Sequence, residues 1–316
     1  MESRHGGAEV PESLTKRIQE VLREFGGKTA FDEPLAKYTS LKVGGKADAL
    51  VFPSSLQELI HLIRETRERR IPWFVLGAGS NLVVREGGIR GIVIKLSHFN
   101  KIESVDGERI YAESGVLLPR LLKYAMEQSL AGLEFLCSIP GSVGGALRMN
   151  AGIPGHEISD VVESVRVLTS RGEVINVGRK EASFGYRRSR FPNGILLGAR
   201  MKLKSSSRHE IQEKVSGLLK RRRETQPLSY PNVGSIFKNP PGQHAGKLIE
   251  EAGLKGLQIG GAQISEKHAN FIINRGSATS DDILALIRKA GKEVEGGKGI
   301  VLELEVKIVG EYADYR

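Results

Sequence analysis

The sequence predicts a protein of mixed helices and strands that contains more than one domain. Three observations support this prediction. Apolar residues recur at helical spacing in some segments and at strand spacing in others, and the two kinds of segment follow one another along the chain. Dense glycine clusters interrupt these segments in two places. The chain also has 316 residues, whereas a typical domain has about 100 to 150.

Residues 1–97 predict a helix, a strand, a second helix and then further strands. An amphipathic helix that begins after Pro11 and ends at Gly26 is expected to pack as an outer arm. A short apolar strand ends before Pro53, and Ser55 with Glu58 forms a predicted capping box for the next helix. This order of strands and helices is typical of an α/β beginning.

The middle of the chain repeats the alternation of strands and helices. A serine tract at residues 205–207 is typical of a domain boundary. Strands are predicted over residues 92–96, 109–112, 161–168, 173–177 and 195–204, and a helix begins at Pro119.

The last part of the chain predicts three helices and one long strand. The helices cover residues 211–219, surround Leu248 and begin near Ser280. The strand at residues 300–309 alternates apolar and charged side chains, so that Glu303, Glu305 and Lys307 share one face. A face turned toward solvent is the simplest interpretation of this pattern.

The composition indicates a globular protein with anionic partners. Hydrophobic residues make up 40% of the chain and charged residues 27%, which are ordinary values. The formal net charge of +10 favours nucleic acid or polyphosphate ligands such as dinucleotides and nucleotide sugars. Charge alone does not choose between them.

A single cysteine, Cys137, excludes a disulfide within the chain and any site with several cysteine ligands. The seven histidines show no metal-binding spacing, so we expect no metal. The start of the chain is polar, and no apolar run approaches the roughly 18 residues that span a bilayer. We therefore expect a cytoplasmic protein that does not enter the membrane.

Residues 73–84 consist of two short apolar runs separated by Gly-Ala-Gly-Ser-Asn at residues 77–81. Gly77 and Gly79 let the backbone approach a neighbouring group closely, and the serine and asparagine add donors and acceptors. A loop of this composition suits a diphosphate. It is not the dinucleotide-binding fingerprint, because Leu82 occupies the position of the third glycine. An ordinary glycine turn between strands is the alternative.

Two further stretches stand out. Residues 138–152 contain four glycines, more than turns require, which favours a backbone that lies against a flat or phosphorylated ligand over an irregular loop. Residues 184–191 combine aromatic and cationic side chains, for which a solvated basic loop is the alternative interpretation.

Five motifs in one order resemble the UDP-N-acetylenolpyruvoylglucosamine reductase (MurB) family. The resemblance runs from about residue 38 to residue 311 and implies an α+β fold. That fold has an FAD-binding region of the vanillyl-alcohol-oxidase (PCMH) type in two lobes, and a separate α+β substrate-binding domain. The motifs are the sequences at residues 75–81, 139–152, 186–191, 234–240 and 303–310.

The resemblance also implies a division of the chain. The N-terminal helix takes residues 1–27, the FAD-binding domain takes residues 28–207, and the substrate-binding domain takes residues 208–316. The two lobes of the FAD-binding domain meet near residue 97. The implied partners are NADPH and a UDP-sugar, without nucleic acid, and a monomer is expected.

The implied reaction moves hydride from NADPH to FAD and then to the enolpyruvyl ether of the UDP-sugar. Negative charge develops beside the substrate carboxylate, so the site needs fixed positive charge and a proton source. Arg187 is the expected carboxylate clamp, since a guanidinium can grip a carboxylate in two parallel hydrogen bonds. Glu305 is expected to share a proton if burial raises its pKa. Ser235 is the expected proton donor, although a turn serine is its alternative interpretation.

The resemblance assigns the remaining site residues. No histidine or cysteine lies in residues 77–81, so noncovalent FAD is expected. The flavin ring is expected near the start of the second glycine stretch. The cofactor-binding residues are Gly77, Ala78, Gly79, Ser80, Asn81, Ser142, Val143, Gly144, Gly145 and Asn150, and the substrate-binding residues are Tyr186, Arg223, Lys238, Asn239 and His268.

The chain departs from part of the family. Some members carry an extra loop with a tyrosine over the substrate, and residues 200–223 leave no room for one. The sequence is therefore identified with the shorter subgroup.

Two other functions stay open from the sequence. An FAD-linked oxidase of the same fold would act on an alcohol or a sugar. A basic nucleic-acid-binding protein would need exposed aromatic residues among its cations. Only 6% of residues are aromatic, and the basic runs at residues 67–70 and 220–223 are far apart.

Overall fold

The computed structural model describes residues 13–313. Residues 1–12, which begin the predicted N-terminal segment, and residues 314–316, which end the predicted C-terminal domain, lie outside the described residues. The described chain forms an α+β fold that contains one sheet of four strands, one of five strands and a smaller C-terminal sheet.

The first lobe is built on a four-stranded sheet and two helices. These elements are α1 (Leu14–Arg23), β1 (Lys28–Pro34), β2 (Lys46–Phe52), α2 (Leu56–Glu68), β3 (Trp73–Val75), β4 (Leu82–Val84) and β5 (Ile89–Ile94). The sheet order is β1-β2-β5-β3, with β2, β5 and β3 parallel and β1 antiparallel to β2. Ile18 of α1, Leu59 of α2 and Ile92 of β5 pack in one buried cluster, which fixes the helices against the sheet.

The predicted capping box at the start of α2 is only partly confirmed. The Ser55 hydroxyl accepts a hydrogen bond from the Glu58 backbone N–H at 3.2 Å, as expected of a helix N-cap. The Glu58 carboxylate, however, accepts from the backbone N–H of Ser54 at 2.8 Å rather than from Ser55. The donor of the hydrogen bond to the Glu58 carboxylate is therefore one residue earlier than the capping-box pattern predicts.

The second lobe holds an antiparallel sheet of order β12-β11-β13-β7-β6. Its buried core includes Ile110, Leu121, Leu147, Val165 and Met201, which join the sheet to two helices. The elements are β6 (Ile102–Asp106), β7 (Arg109–Glu113), α3 (Leu118–Glu127), β8 (Leu130–Ala131), α4 (Val143–Met149), β9 (Gly152–Ile153), β10 (His156–Glu157), β11 (Val162–Thr169), β12 (Val174–Gly178), β13 (Gly194–Lys202) and β14 (Lys204–Ser205).

The C-terminal part joins a small sheet to helices. Its elements are α5 (Arg208–Thr225), α6 (Ala245–Glu251), β15 (Gln258–Ile259), β16 (Ala262–Ile264), β17 (Ile272–Asn274), α7 (Ser280–Lys298) and β18 (Lys307–Val309). Strands β15, β16 and β17 form the small sheet. Leu248, Ile264 and Ile283 share a buried cluster with Leu41 and Val83 of the first lobe, so the C-terminal part packs directly on that lobe. The predicted divisions at residues 27, 97 and 207 remain a proposal.

The predicted strand at residues 300–309 is mostly wrong. Only β18 is a regular strand, and it pairs in parallel with β4. The backbone N–H groups of Glu305 and Val306 both donate to the Ile236 carbonyl, at 2.8 and 3.3 Å, which interrupts a regular ladder. The two glutamates therefore do not share a solvent face: the Glu303 side chain is 74% exposed, whereas Glu305 is 19% exposed and lies against a cavity.

Residues 13–313 contain neither a membrane-spanning helix nor a cluster of metal ligands. No helix there has both the length and the apolar character that crossing a bilayer requires. The same residues contain no cluster of three or more His, Cys, Asp or Glu side chains that could hold a metal ion.

Asn274 connects the small sheet to the first lobe and provides a test of this packing. Its buried side-chain amide donates to the Leu41 carbonyl at 3.0 Å, and its oxygen accepts from the backbone N–H groups of Gly276 and Ala278. We expect Asn274→Ala to lower the free energy of unfolding by about 2 to 3 kcal/mol in a urea titration, because one buried and two partly buried backbone groups lose their partner. The matched control Asn176→Ala, on exposed edge strand β12, should cost less than about 0.5 kcal/mol. Equal effects would contradict this account.

Candidate active site

A cavity of about 1030 Å³ lies where the two lobes and the C-terminal part meet. Its wall includes residues 77–81 of the first lobe and Gly144 of the second. Ser235 and Glu305 line it from the C-terminal part. Ligand pockets commonly measure about 300 to 1,000 Å³, so this one is large enough for an extended ligand.

The cavity wall is strongly cationic. Among the residues that line it, Glu305 is the one carboxylate, and it stands against seven Lys and Arg side chains: Lys37, Lys95, Arg120, Arg148, Arg187, Arg222 and Lys307. A cluster of one charge sign in a cleft attracts and concentrates oppositely charged ligands. The wall therefore suits ligands that carry several negative charges.

The glycine loop at residues 76–81 leaves strand β3, beside the carboxyl end of β5. Within the described structure, the backbone N–H groups of residues 77–81 donate to no protein acceptor. Three of its carbonyls are held from outside the loop: Gly77 accepts from Lys95 Nζ at 2.8 Å, Gly79 from the Ser40 N–H at 3.0 Å, and Asn81 from the Lys307 N–H at 3.1 Å. Successive free N–H groups in a fixed loop form a site for an anion.

The two loop glycines are required for different reasons. Gly79 has a φ of +67°, and a Cβ there would lie 2.1 Å from the Tyr38 carbonyl oxygen, so its small size serves packing within the protein. A Cβ on Gly77 would meet Ser142 Oγ at 3.0 Å and otherwise project toward the start of α4. Gly77, rather than Gly79, is the glycine whose missing side chain leaves space between the loop and α4.

The start of helix α4 forms the opposite wall. Ser142 caps this helix, and its hydroxyl accepts from the Gly145 N–H at 3.5 Å. Gly144 packs against Ser114, where an added Cβ would lie 2.9 Å from the serine Cβ. The Ser114 hydroxyl oxygen is buried and has no hydrogen-bond partner among the described residues, and Ser114 is one of the residues that line the cavity. Leaving a buried polar group without a partner is costly.

Two predicted cofactor-binding residues do not line the cavity. Val143 is fully buried in the core of the second lobe. Asn150 is also fully buried, and its side chain is occupied by Glu157 at 2.6 Å, the Gly185 carbonyl at 3.1 Å and the Ser159 N–H at 3.2 Å. Asn150 therefore holds the loop that precedes Arg187. The other eight predicted cofactor residues all line the cavity.

Arg187 and Glu305 form an ion pair in the cavity wall. Arg187 Nε donates to Glu305 Oε1 at 3.0 Å, and a terminal nitrogen of Arg187 donates to the Gly152 carbonyl at 2.7 Å. Burial raises the pKa of Glu305, and the Arg187 charge opposes that shift. Arg187 has a φ of 53°, and backbone bonds between Gly185 and Arg188 enclose it in a tight turn. A non-glycine residue rarely adopts that conformation, so the turn fixes where the guanidinium points.

Ser235 is half-buried and lines the cavity, and its hydroxyl bonds to no other described residue. It follows Gly234, whose φ of +77° turns the chain sharply. The next residue, Ile236, accepts the backbone N–H of Glu305 at 2.8 Å. Ser235 and Glu305 thus lie on adjoining backbone segments.

The five predicted substrate residues are distributed unevenly. Asn239 lines the cavity, and its oxygen accepts from the Ala245 N–H at 3.0 Å. Tyr186 is outside the wall and lies against the Arg187 guanidinium, with 5.0 Å between Cζ and the ring centre. Lys238 is outside the wall and pairs with Glu303. His268 contacts Phe271 and is not in the wall, and burial lowers its pKa.

Arg223 is exposed and does not line the cavity, whereas its neighbour Arg222 does. Arg222 donates to the Cys137 carbonyl at 3.2 Å and to Gln226. The side chains of adjacent residues in a helix point about 100° apart, so a prediction that is one residue off in a basic run names a side chain on the wrong side of α5. The sequence also did not single out Lys95, Arg148 and Ser114, which line the cavity.

Known proteins resemble this chain in both sequence and structure. Sequence models match residues 226–309 as the C-terminal domain of UDP-N-acetylenolpyruvoylglucosamine reductase and residues 47–178 as an FAD-binding domain. The UDP-N-acetylenolpyruvoylglucosamine reductase of Caldanaerobacter subterraneus subsp. tengcongensis is 47% identical over 304 residues, which cover 96% of this chain and 100% of the relative. That of Geobacillus kaustophilus is 43% identical over 305 residues, covering 96% and 99%.

The chain belongs to the UDP-N-acetylenolpyruvoylglucosamine reductase (MurB) family. The crystal structure of MurB from Thermus caldophilus matches 90% of this chain and 99% of its own length, with a TM-score of 0.77 and 38% identity. The fold is thus a PCMH-type FAD-binding domain followed by a MurB C-terminal substrate domain.

Membership in the MurB family decides the class of activity. The chain is an FAD-dependent oxidoreductase, a UDP-N-acetylmuramate dehydrogenase, of peptidoglycan precursor synthesis, and the family uses NADPH. The family decides against a basic nucleic-acid-binding protein and against an oxidase of alcohols or sugars.

Gly77 provides a test of the space between the loop and α4. We expect Gly77→Val to reduce the affinity for FAD at least about tenfold, because its side chain would occupy space that the free N–H groups need for an anion. The measurement is the FAD content of the purified protein and its dissociation constant by flavin fluorescence. Gly217→Val is the matched control, since a Cβ on this exposed residue of α5 meets nothing within 4 Å. Full FAD content with an unchanged dissociation constant in Gly77→Val would refute the assignment.

Proposed function

We propose that this chain reduces the enolpyruvyl ether of UDP-N-acetylglucosamine enolpyruvate to UDP-N-acetylmuramate, with NADPH as the reductant. The observation that carries the proposal is the convergence of Arg187, Glu305 and Ser235 in one cationic cavity beside the glycine loop.

The residues present fit noncovalent FAD. The unpaired N–H groups of residues 77–81 suit its diphosphate, and the unpartnered Ser114 hydroxyl suits a further polar contact. We assign the flavin ring to the part of the cavity near residues 142–145. When bound, FAD supplies the transfer of hydride from NADPH to the substrate. The protein then has to bind the substrate, stabilise the charge that develops and deliver a proton.

Arg187 is proposed to hold the substrate carboxylate. Nε and one hydrogen of a terminal nitrogen are already used by Glu305 and by the Gly152 carbonyl, and the other terminal nitrogen lies 3.9 Å from a Glu157 carboxylate oxygen, beyond hydrogen-bond distance. The remaining hydrogens of the two terminal nitrogens form the outer edge of the planar fork, which can grip a carboxylate in two parallel bonds. Because the protein orients the fork before substrate binds, the positive charge is in position when negative charge develops.

Glu305 is proposed to share a proton with the intermediate and to keep Arg187 oriented. Burial raises its pKa, so the carboxyl holds a proton at a higher pH than a free glutamate does. Arg187 and Lys238 lower that pKa through their positive charges. This gives Lys238 an indirect effect on the acid, although it lies outside the cavity wall.

Ser235 is proposed to donate the proton to the carbon beside the carboxylate. A hydroxyl is a weak acid, so the transfer depends on close placement and on the basicity of the carbanion. The hydroxyl has no competing partner among the described residues and borders the cavity next to the Glu305 backbone. Both features support this role.

The UDP part of the substrate is assigned to Asn239 and to Arg222, which line the cavity. Arg222 replaces Arg223 in this role, because Arg223 points away from the cavity. Tyr186 is exposed and lies against Arg187, and His268 contacts Phe271 of the cavity wall, so we propose that both support residues that contact substrate.

We also propose that the chain represents the shorter subgroup of the family and acts as a monomer. Helix α5 begins at Arg208, three residues after β14 ends, so residues 200–223 hold no inserted loop.

Anaerobic flavin absorbance tests the proposed reaction. NADPH should bleach the flavin, and the UDP-enolpyruvyl sugar should then restore its absorbance without oxygen. UDP-N-acetylglucosamine, which has no enolpyruvyl group, is the control and should restore nothing. Restoration by the control, or none by the enolpyruvyl sugar, would contradict the proposed substrate.

Ser235→Ala separates the two half-reactions. We expect NADPH to reduce the flavin at nearly the wild-type rate, because that step takes no proton from Ser235. Reoxidation by the enolpyruvyl sugar should slow by about 100 to 10,000-fold, the usual contribution of a general acid. Stopped-flow absorbance measures both rates. Equal slowing of both would mean that Ser235 supports structure, and an unaffected second rate would place the proton source elsewhere.

Arg187→Lys tests the planar fork. Lysine keeps the charge but cannot hold Glu305, the Gly152 carbonyl and a bidentate carboxylate together, so we expect turnover to fall about 10- to 100-fold. Arg188→Lys is the matched control, since Arg188 does not line the cavity. A twofold effect in Arg187→Lys would mean that Arg187 acts only as a point charge.

A further inference from the structure

Lys95 is a cation in the cavity wall that has no acidic partner. It follows strand β5 directly, and burial lowers its pKa. Its Nζ donates to the Gly77 carbonyl at 2.8 Å and lies 5.6 Å from the centre of the Tyr38 ring. No carboxylate among the described residues lies within 4 Å of this nitrogen, the limit for an ion pair. Lys95 is partly buried, and charges withdrawn from water in proteins are normally paired, so this one favours a counter-charge from outside the chain.

The surroundings indicate the kind of counter-charge. An ammonium has three N–H donors, and the Gly77 carbonyl takes one of them. Gly77 begins the run of unpaired backbone N–H groups at residues 77–81, so the cation and the free N–H groups lie on one loop. Both favour the same ligand chemistry, a phosphate or diphosphate.

Other cations of the wall have different surroundings. Lys37 pairs with Glu33 at 3.1 Å, and Arg187 pairs with Glu305. Arg222 lies on α5 and donates to the Cys137 carbonyl, on the second-lobe side of the cavity. Lys95 alone among these four is bonded to the glycine loop.

We propose that Lys95 supplies the partly buried positive charge that balances the FAD diphosphate, and that its bond to the Gly77 carbonyl fixes it beside the glycine loop. This inference rests on the proposed position of the diphosphate at residues 77–81. Lys95 is then a cofactor-binding residue outside the glycine motifs, contributed by the end of the neighbouring parallel strand. Ligands of open parallel sheets bind at the carboxyl ends of the strands, which agrees with this position.

Three variants separate charge from hydrogen bonding and packing. Lys95→Met removes the charge and the bond to Gly77, Lys95→Gln keeps a donor for the Gly77 carbonyl without charge, and Lys95→Arg keeps the charge. The readout is the FAD dissociation constant of refilled apoprotein, measured by flavin fluorescence, with circular dichroism as the check on folding. Lys123→Met is the matched control, because Lys123 is exposed, pairs with Glu127 and does not line the cavity.

We expect Lys95→Met and Lys95→Gln to weaken FAD binding by about 10- to 100-fold, as for a lost charge-assisted hydrogen bond. Lys95→Arg should stay within about fivefold of wild type, and Lys123→Met within about twofold. Wild-type affinity in Lys95→Gln would overturn the proposal in favour of a bond to the loop alone. Equal losses in Lys95→Arg and Lys95→Met would overturn it in favour of packing.

The same measurements show whether the proposed position of the diphosphate at residues 77–81 is itself wrong. If it is wrong, Gly77→Val will also bind FAD normally. If only the role of Lys95 is wrong, Gly77→Val will still bind FAD weakly. If Lys95→Met does not fold, the comparison of Lys95→Gln with Lys95→Arg still decides between charge and hydrogen bonding.

Discussion

The ion pair between Arg187 and Glu305 is the interaction on which the site depends. Arg187 comes from a tight turn of the second lobe, and Glu305 comes from the segment that leads into β18. Residues 118 positions apart in sequence thus meet at one wall of the cavity. Each residue affects the other. The Arg187 guanidinium limits the rise in the pKa of Glu305 that burial causes, and the Glu305 carboxylate helps to orient the guanidinium, which leaves a strained turn.

The position of Glu305 depends in turn on the glycine loop. The Asn81 side-chain amide donates to the Glu305 carbonyl at 3.1 Å, and the Lys307 N–H donates to the Asn81 carbonyl at 3.1 Å. Strand β18 then continues alongside β4, which follows the loop. A loop that suits a diphosphate and a strand that carries an acid are therefore held by the same asparagine. Asn81 thus joins the glycine loop to the segment that carries Glu305.

Much of this arrangement was predictable from the sequence, and the failures have physical causes. The glycine motifs and the residues Arg187, Ser235 and Glu305 were recognisable because their order resembles one family. The burial of Glu305 was not predictable, because strand alternation does not distinguish solvent from a polar cavity. The side of α5 that faces the cavity was also not predictable, because Ile211 is the one buried residue of that helix and a single buried residue defines no apolar face. Asn150 belongs to one of the family motifs, yet its side chain forms hydrogen bonds within the protein rather than lining the cavity. Lys95 follows an apolar strand, a position where a lysine normally reaches solvent.

A double-mutant cycle on the ion pair tests the central claim most directly. Arg187→Met, Glu305→Gln and the double variant are compared with wild type by the rate at which the enolpyruvyl sugar reoxidises the flavin under anaerobic conditions. If the pair acts as one unit, the double variant is about as slow as the slower single variant, because the first substitution already removes the shared function. If the two losses multiply in the double variant, Arg187 and Glu305 act independently, and the account of a single coupled pair is contradicted.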